Sequence, residues 1–118
     1  MGFRLLEKGE GSTTWEWTPD ERFQNPAGTV QGGLMGAFLD SVNGASLVRA
    51  LGDRRLAIAT IEQKTSFLRA VFPGTTLRAS GKVISLGERL GFVESRATDQ
   101  EGEVVATSSS TWILLPRR

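Results

Sequence analysis

Cysteine, histidine and tyrosine are all absent from this chain of 118 residues. Without cysteine it cannot form a disulfide, use a thiolate nucleophile or bind a metal through thiolates. Without histidine it cannot use Ser-His-Asp catalysis or bind zinc through imidazole, and without tyrosine it has no phenol for acid–base chemistry. If the protein is an enzyme that moves protons with a side chain, that side chain must be aspartate, glutamate or lysine.

Excess charge and long apolar runs are also missing. The 14 basic and 13 acidic residues give a net charge of +1, which argues against broad binding of nucleic acid or acidic membranes. No apolar run approaches the roughly 20 residues of a membrane span, and the charged residues of segment 1–15 do not fit a signal peptide. We therefore expect a single domain over residues 1–118, in the cytoplasm, with no metal site.

The pattern of apolar residues predicts one long helix and about five strands. Segment 32–51 has helical spacing and is apolar on nearly all sides, with a main stripe formed by Leu34, Phe38, Val42, Ala45 and Val48. Segment 21–31 is typical of an irregular loop. Strand patterns joined by short turns occupy 13–18, 57–68, 76–84, 91–98 and 103–114. The sequence predicts an α+β fold, with a curved antiparallel sheet wrapped around the helix.

Asp40 lies in the middle of the predicted helix and is the only charged residue between Arg22 and Arg49. Glycines flank it at positions that share its helix face: Gly33, Gly36 and Gly44. Glycine inside a helix costs roughly 0.5–1 kcal/mol relative to alanine, so another backbone or a ligand is expected to come close there. Asp40 is either a structural partner of a loop or a second subunit, or a carboxylate in a partly desolvated cleft that acts in catalysis.

Gly32 and Gly33 lie where the predicted helix begins. Backbone N–H groups at a helix N-terminus have no partner within the helix and can bind an anion or a developing oxyanion. A Gly-Gly pair alone is more often a steric necessity than a catalytic feature. Together with the polar loop that precedes it and the lone Asp40 two turns on, it favours a functional site.

The residues Asn25-(x5)-Gln31-Gly32-Gly33-(x6)-Asp40 resemble the motif of the PaaI-type hotdog thioesterases, a phenylacetate-degradation and 4-hydroxybenzoyl-CoA thioesterase-like family. That family usually has histidine where this chain has Gln31. Segments 60–68, 73–74, 86–89 and 99–106 resemble later parts of the family pattern. Taken over the whole chain, the resemblance covers roughly residues 15–114. It implies a hotdog fold and either a homodimer or a homotetramer made of two dimers, with active sites at the dimer interface.

The resemblance also implies roles for individual residues. Asp40 would activate a water molecule or attack the thioester directly. The N–H of Gly32 or Gly33 would hold the thioester oxygen from the other subunit. Asn25 would position water or substrate, and Thr60 would help to orient the water. Coenzyme A would enter as part of the substrate, so no separate cofactor is expected.

Gln31 and the arginines leave alternatives open. Gln31 can form hydrogen bonds but cannot carry a proton, so a protein with little or no catalytic activity is an alternative to an active enzyme. The leading hypothesis is hydrolysis of a small aryl- or medium-chain acyl-CoA; the alternatives are a catalytically weak or inactive acyl-CoA-binding module and a scaffold subunit without a ligand. Arg89 could contact the phosphates of CoA, although a solvated charge is commoner in a hairpin. The same contact is a weaker alternative for Arg54, Arg55, Arg117 and Arg118.

Overall fold

The computed structural model describes residues 2–117. The helix α1 spans Gly32–Leu51, as the sequence predicts. Six strands accompany it, together with a short 3-10 helix at Glu21–Phe23: β1 (Arg4–Gly9), β2 (Ser12–Trp17), β3 (Leu56–Phe67), β4 (Leu77–Leu86), β5 (Leu90–Thr98) and β6 (Val104–Pro116). The ends of the five expected strands differ from the prediction by at most two residues. The prediction of about five strands missed β1.

The missed strand β1 has no clear alternation of apolar and polar residues, since its sequence is RLLEKG and it is mostly exposed. It pairs with β2 through a tight turn in which Gly11 has a φ of +67°. A residue with a side chain is disfavoured in that conformation, so the glycines around this turn were the available signal for a hairpin.

The six strands form one antiparallel sheet in the order β1-β2-β4-β5-β6-β3. This sheet with its single long helix is the hotdog fold, and the α+β prediction is confirmed. The strands β1 and β3 form its two edges. No helix within residues 2–117 is both long and apolar enough to cross a membrane.

Alternation along the strands places the core on the side of the sheet that faces α1. Leu77, Ala79 and Gly81 of β4 are buried there, as their spacing predicts. In the helix, Phe38 and Leu47 are fully buried and belong to two separate apolar clusters. Polar residues of α1 and of the sheet are buried as well: Thr13, Asn43, Ser46, Ser95, Ser108 and Ser110.

The buried face of α1 differs from the predicted stripe. Phe38 and Val42 are buried, but Leu34 and Ala45 are only partly covered and Val48 is 55% exposed. The buried face also includes residues that lie beside the predicted stripe: Met35, Leu39, Asn43, Ser46 and Leu47. The helix is apolar on nearly all sides, but the sheet covers only one of them, so the predicted stripe is wrong at Val48.

Candidate active site

Asp40 lies on the side of α1 that faces the edge strand β3. The hydroxyl of Thr60 donates a hydrogen bond to Asp40 Oδ1 over 2.9 Å, and Asp40 is partly buried. Within residues 2–117, Thr60 is the only hydrogen-bond donor to this carboxylate, and no cation forms an ion pair with it. Asp40 Oδ2 therefore remains available to accept a proton or to attack an electrophile.

A β-bulge in β3 explains why Thr60 reaches Asp40. The register with β6 shifts between Thr60 and Glu62, which leaves Ile61 as the extra residue. Thr60 faces the helix before the bulge, and Gln63 faces it after the bulge. Regular pleating would point these two side chains to opposite faces, since they are three residues apart. The bulge thus brings two polar side chains of β3 to the same side.

Gln63 and Asn43 join the helix to this edge strand on either side of Asp40, and sequence reasoning missed both. Gln63 Nε2 donates to the carbonyl oxygen of Gly36 over 3.0 Å and to Thr65 Oγ1 over 3.1 Å. Asn43 is fully buried and donates to Ser108 Oγ over 2.8 Å and to Gln63 Oε1 over 3.5 Å. These bonds fix the backbone of α1 beside β3. The available signal was an amide side chain three residues after Asp40, on the same helix face.

The N-terminus of α1 carries the second group of expected site residues. The carbonyl oxygen of Gln31 accepts hydrogen bonds from the N–H groups of Leu34 and Met35, at 3.0 and 3.2 Å. The N–H groups of Gly32 and Gly33 donate no hydrogen bond to any residue in 2–117. They are the free donors that the sequence predicts at this position, and they can hold a negatively charged oxygen.

Steric need explains only one of the two glycines. A Cβ atom on Gly32 would lie 3.2 Å from Cζ of Phe67, so Phe67 packs tightly against this position. A Cβ atom on Gly33 would have no described atom within 4 Å, and the φ angle of Gly33 is not positive. Gly33 therefore leaves an open approach to the helix N-terminus.

Asn25 and Gln31 lie in the loop before the helix. The side-chain oxygen of Asn25 accepts hydrogen bonds from the N–H groups of Ala27 and Thr29, at 3.0 and 3.2 Å. Its amide nitrogen donates to Thr29 Oγ1 over 3.0 Å. Asn25 thus holds the loop in shape, while Gln31 is exposed and contacts the carbonyl oxygen of Gln24 at 3.5 Å. A direct role for either side chain with substrate remains a prediction.

Asp40 and the glycine pair are well separated within one protomer. Asp40 lies eight positions after Gly32 in the helix, which corresponds to about 12 Å along the axis. A reacting carbonyl must lie about 3 Å from its oxyanion donors and within similar reach of the attacking group. The structure therefore brings Asp40 together with Thr60, but it does not bring either of them to Gly32 within a single chain.

The open edge of β3 lies beside Asp40. This strand has 12 residues and pairs with β6 on one side only. Along and just after it, Ile61, Phe67 and Leu68 are each more than half exposed. A long edge with unpaired backbone groups and exposed apolar side chains is a template for pairing with another strand.

Arg89 lies apart from both groups, in the hairpin between β4 and β5, and is exposed. Its carbonyl oxygen accepts the N–H of Leu114, and the N–H of Arg117 lies 3.5 Å from the carbonyl oxygen of Arg55. These contacts place several arginines at the end of the sheet where β3 begins and β6 ends. Within residues 2–117, none of their side chains forms an ion pair: Arg54, Arg55, Arg89 and Arg117. Arg118 lies outside the described residues.

Comparisons with solved structures find close relatives of this fold. A phenylacetic acid degradation-related protein from Ralstonia eutropha, described as a putative thioesterase, is 29% identical, with a TM-score of 0.85 over 94% of this chain and 83% of that one. A Streptococcus mutans protein bound to acetyl-CoA is 19% identical, with a TM-score of 0.91 over 100% and 92%. The Escherichia coli PaaI protein is 22% identical, with a TM-score of 0.83 over 94% and 78%. None of the curated proteins compared with the chain matches it significantly.

The family model of the thioesterase superfamily matches residues 27–106. This region contains Gly32, Gly33, Asp40, Thr60 and Arg89, whereas Asn25 lies just before it. The match covers well over half of the chain, and the fold is shared with the three solved structures described above. The chain belongs to the thioesterase superfamily and is a thioester hydrolase.

Proposed function

We propose that this protein hydrolyses a small aryl- or medium-chain acyl-CoA, with Asp40 as general base or nucleophile. The observation that carries the proposal is the lone Asp40 carboxylate, held by Thr60 on one oxygen, beside an open strand edge. The S. mutans relative solved with acetyl-CoA supports a CoA thioester as the substrate. The PaaI relative, from a phenylacetic acid degradation operon, supports an aryl acyl group.

The chemistry requires one proton acceptor and one oxyanion site. Asp40 takes a proton from water as the water oxygen bonds to the thioester carbon, and the carbonyl oxygen becomes negative. The N–H of Gly32 or Gly33 stabilises that oxygen. The C–S bond then breaks, and the leaving thiolate of CoA receives the proton held by Asp40. If Asp40 attacks directly, water afterwards hydrolyses the resulting anhydride.

A second subunit resolves the separation of about 12 Å between Gly32 and Asp40. Two copies paired through their β3 edges by a twofold axis would form one continuous sheet and bring the two helices side by side. Asp40 of one subunit would then share a carbonyl with Gly32 and Gly33 of the other. The exposed Ile61 and Phe67 and the unpaired edge of β3 support such a dimer.

The other expected residues take supporting roles in this proposal. Thr60 fixes the position of Asp40 through its hydroxyl and helps to orient the attacking water. Asn25 shapes the loop before the helix and can use its remaining amide hydrogen on water or substrate. Gln31 orients the substrate by hydrogen bonding and leaves all proton transfer to Asp40.

The arginines at the end of the sheet are proposed to contact the phosphates of CoA. Arg89 is the main candidate, and its side chain is exposed and forms no ion pair within residues 2–117. The two carboxylates next to these arginines in the sequence, Asp53 and Glu88, leave the cluster with an excess of positive charge. Guanidinium groups bind phosphate oxygens through paired hydrogen bonds.

For Arg89→Gln we expect KM for an acyl-CoA to rise by about tenfold, which corresponds to one charge-assisted hydrogen bond. KM for the same acyl thioester of pantetheine, which lacks the nucleotide, should not change. Arg78→Gln, an exposed arginine on β4, is the matched control and should alter neither constant. An equal change with both substrates, or with neither, would refute the contact with the phosphates.

Thiol release from purified protein is the direct test of the proposed function. A panel of aryl and straight-chain acyl-CoAs should yield free CoA, and the fastest substrates name the acyl class. Saturable binding of acyl-CoA without thiol release would instead support the binding-module alternative, because Gln31 replaces the histidine that is usual in the family. In that case, Gln31→His is the variant to assay next.

A further inference from the structure

Strand β3 holds Asp40 at two points, one on its side chain and one on its backbone. The side chain accepts the hydroxyl of Thr60 over 2.9 Å. The backbone N–H of Asp40 donates to the carbonyl oxygen of Gly36, because α-helical hydrogen bonds join each residue to the fourth one before it. That same carbonyl oxygen accepts a hydrogen bond from Gln63 Nε2 over 3.0 Å. Gln63 therefore ties the helical turn that carries Asp40 to the strand that carries Thr60.

The side-chain amide of Gln63 is held in one orientation by its neighbours. Its nitrogen donates to the carbonyl oxygen of Gly36 and to Thr65 Oγ1, and its oxygen accepts Asn43 Nδ2 at 3.5 Å. Asn43 is held in turn by its hydrogen bond of 2.8 Å to Ser108 Oγ. A reversed amide would place its oxygen against the carbonyl oxygen of Gly36, where two acceptors cannot bond, so the network selects this orientation.

This pair of amides is a poor choice for stability alone. Asn43 is fully buried, and its side-chain oxygen has no hydrogen-bond partner in the described part of the chain. A buried acceptor without a partner destabilises the fold, whereas apolar side chains of the same shape in place of a polar pair can be neutral or stabilising. Polar groups that break this rule are expected at functional sites, and Asn43 and Gln63 flank the candidate catalytic carboxylate.

We propose that Gln63 is a positioning residue for catalysis and that Asn43 sets its orientation. The inference rests on the proposed function for the role of Asp40 as general base or nucleophile. The hydrogen bond from Thr60 alone lets the carboxylate move with the helical turn that carries it. The bond from Gln63 to the helix backbone fixes the turn itself against β3, across the bulge at Ile61. A misplacement of about 1 Å can lower a reaction rate by about 10²-fold, so this second tie matters for turnover.

The double variant Gln63→Met, Asn43→Leu tests this inference, because it nearly keeps the size of both side chains and removes both amides. Ser108 retains its hydrogen bond of 2.7 Å with Ser95. We expect kcat to fall at least about tenfold and KM to stay within about threefold of wild type, since neither amide contacts the substrate. The melting temperature should equal or exceed that of the wild type. Thiol release over a range of acyl-CoA concentrations gives both kinetic constants.

A second buried polar bond between α1 and the sheet provides the matched control. Thr13 Oγ1 and Ser46 Oγ lie 2.8 Å apart, and both residues are buried. This bond joins the helix to β2, whereas Asp40 faces the edge strand β3. Thr13→Val combined with Ser46→Ala removes the bond with little change of shape. The control should keep kcat within about threefold of wild type.

Wild-type kcat in the Gln63→Met, Asn43→Leu variant would overturn the inference. A lower melting temperature together with the lower kcat would also overturn it, since the amides would then serve the fold. A tenfold rise in KM would replace positioning by direct contact with the substrate, and an equal loss of kcat in the Thr13 and Ser46 control would remove the special role of Gln63. Failure of the proposed function has a different signature: wild-type turnover in Asp40→Asn, or no thiol release from the wild-type protein.

Discussion

Replacing Asp40 by asparagine is expected to lower kcat for acyl-CoA hydrolysis by about 10²–10⁴-fold, the range for loss of a positioned acid–base group. Asparagine has nearly the same shape, and its side-chain oxygen can still accept the hydrogen bond from Thr60. It cannot take a proton from water or attack a thioester. The change should therefore act on turnover and leave the fold and substrate binding largely intact.

Three measurements separate this effect from damage to the fold. The melting temperature of Asp40→Asn should stay close to that of the wild type. The variant should also keep its affinity for phenacyl-CoA, a thioether of CoA that cannot be hydrolysed. Asp53→Asn, which removes an exposed carboxylate just after α1, should keep wild-type kcat. Wild-type turnover in Asp40→Asn would show that another group performs the chemistry.

The second large effect is expected at the N-terminus of α1. Gly32→Pro removes one backbone N–H, and the preceding residue, Gln31, already has a ψ angle of 133°, which suits a following proline. Gly33→Pro removes the other free N–H. At least one of these variants should lower kcat by about 10²–10³-fold, the effect of losing one oxyanion donor.

Alanine variants at the same positions keep the N–H and serve as controls. The added methyl group of Gly33→Ala enters open space, so kcat should stay within about threefold of wild type. This change is far smaller than the loss expected when an oxyanion donor is removed. Gly32→Ala gains the contact with Phe67 that the proline variant also has, so a difference between the two reports the N–H itself. If proline and alanine variants behaved alike at both positions, the oxyanion site would lie elsewhere.

The helix and most of the sheet could be predicted because their local patterns agree with their tertiary environment. The bounds of α1 follow from apolar spacing that begins at Gly32 and stops at Gly52. Asp40 could be identified as a candidate catalytic residue because it is the only charged residue in an apolar helix, where an unpaired charge is costly. No comparable local pattern marks β1, which lies at the sheet edge and buries little of its surface.

The rest of the site depends on interactions between residues that are distant in the sequence. The bulge at Ile61 decides that Thr60 and Gln63 both face the helix, and a bulge is set by the register with β6. Asn43 is buried because folding places it against β6, where it donates a hydrogen bond to Ser108, 65 residues away. A Cβ atom on Gly44 would lie 3.0 Å from Cη2 of Trp112, so a ring that only the folded chain brings near explains this glycine.

In the proposed dimer, each active site combines Asp40 of one subunit with the glycine N–H groups of the other. The most direct measurement is the activity of a heterodimer that pairs Asp40→Asn with the inactive proline variant, purified through two different affinity tags. A shared site predicts that one of the two sites contains only wild-type groups, so activity should recover to about half that of the wild-type dimer. Activity no higher than that of the two inactive parents would contradict the shared site.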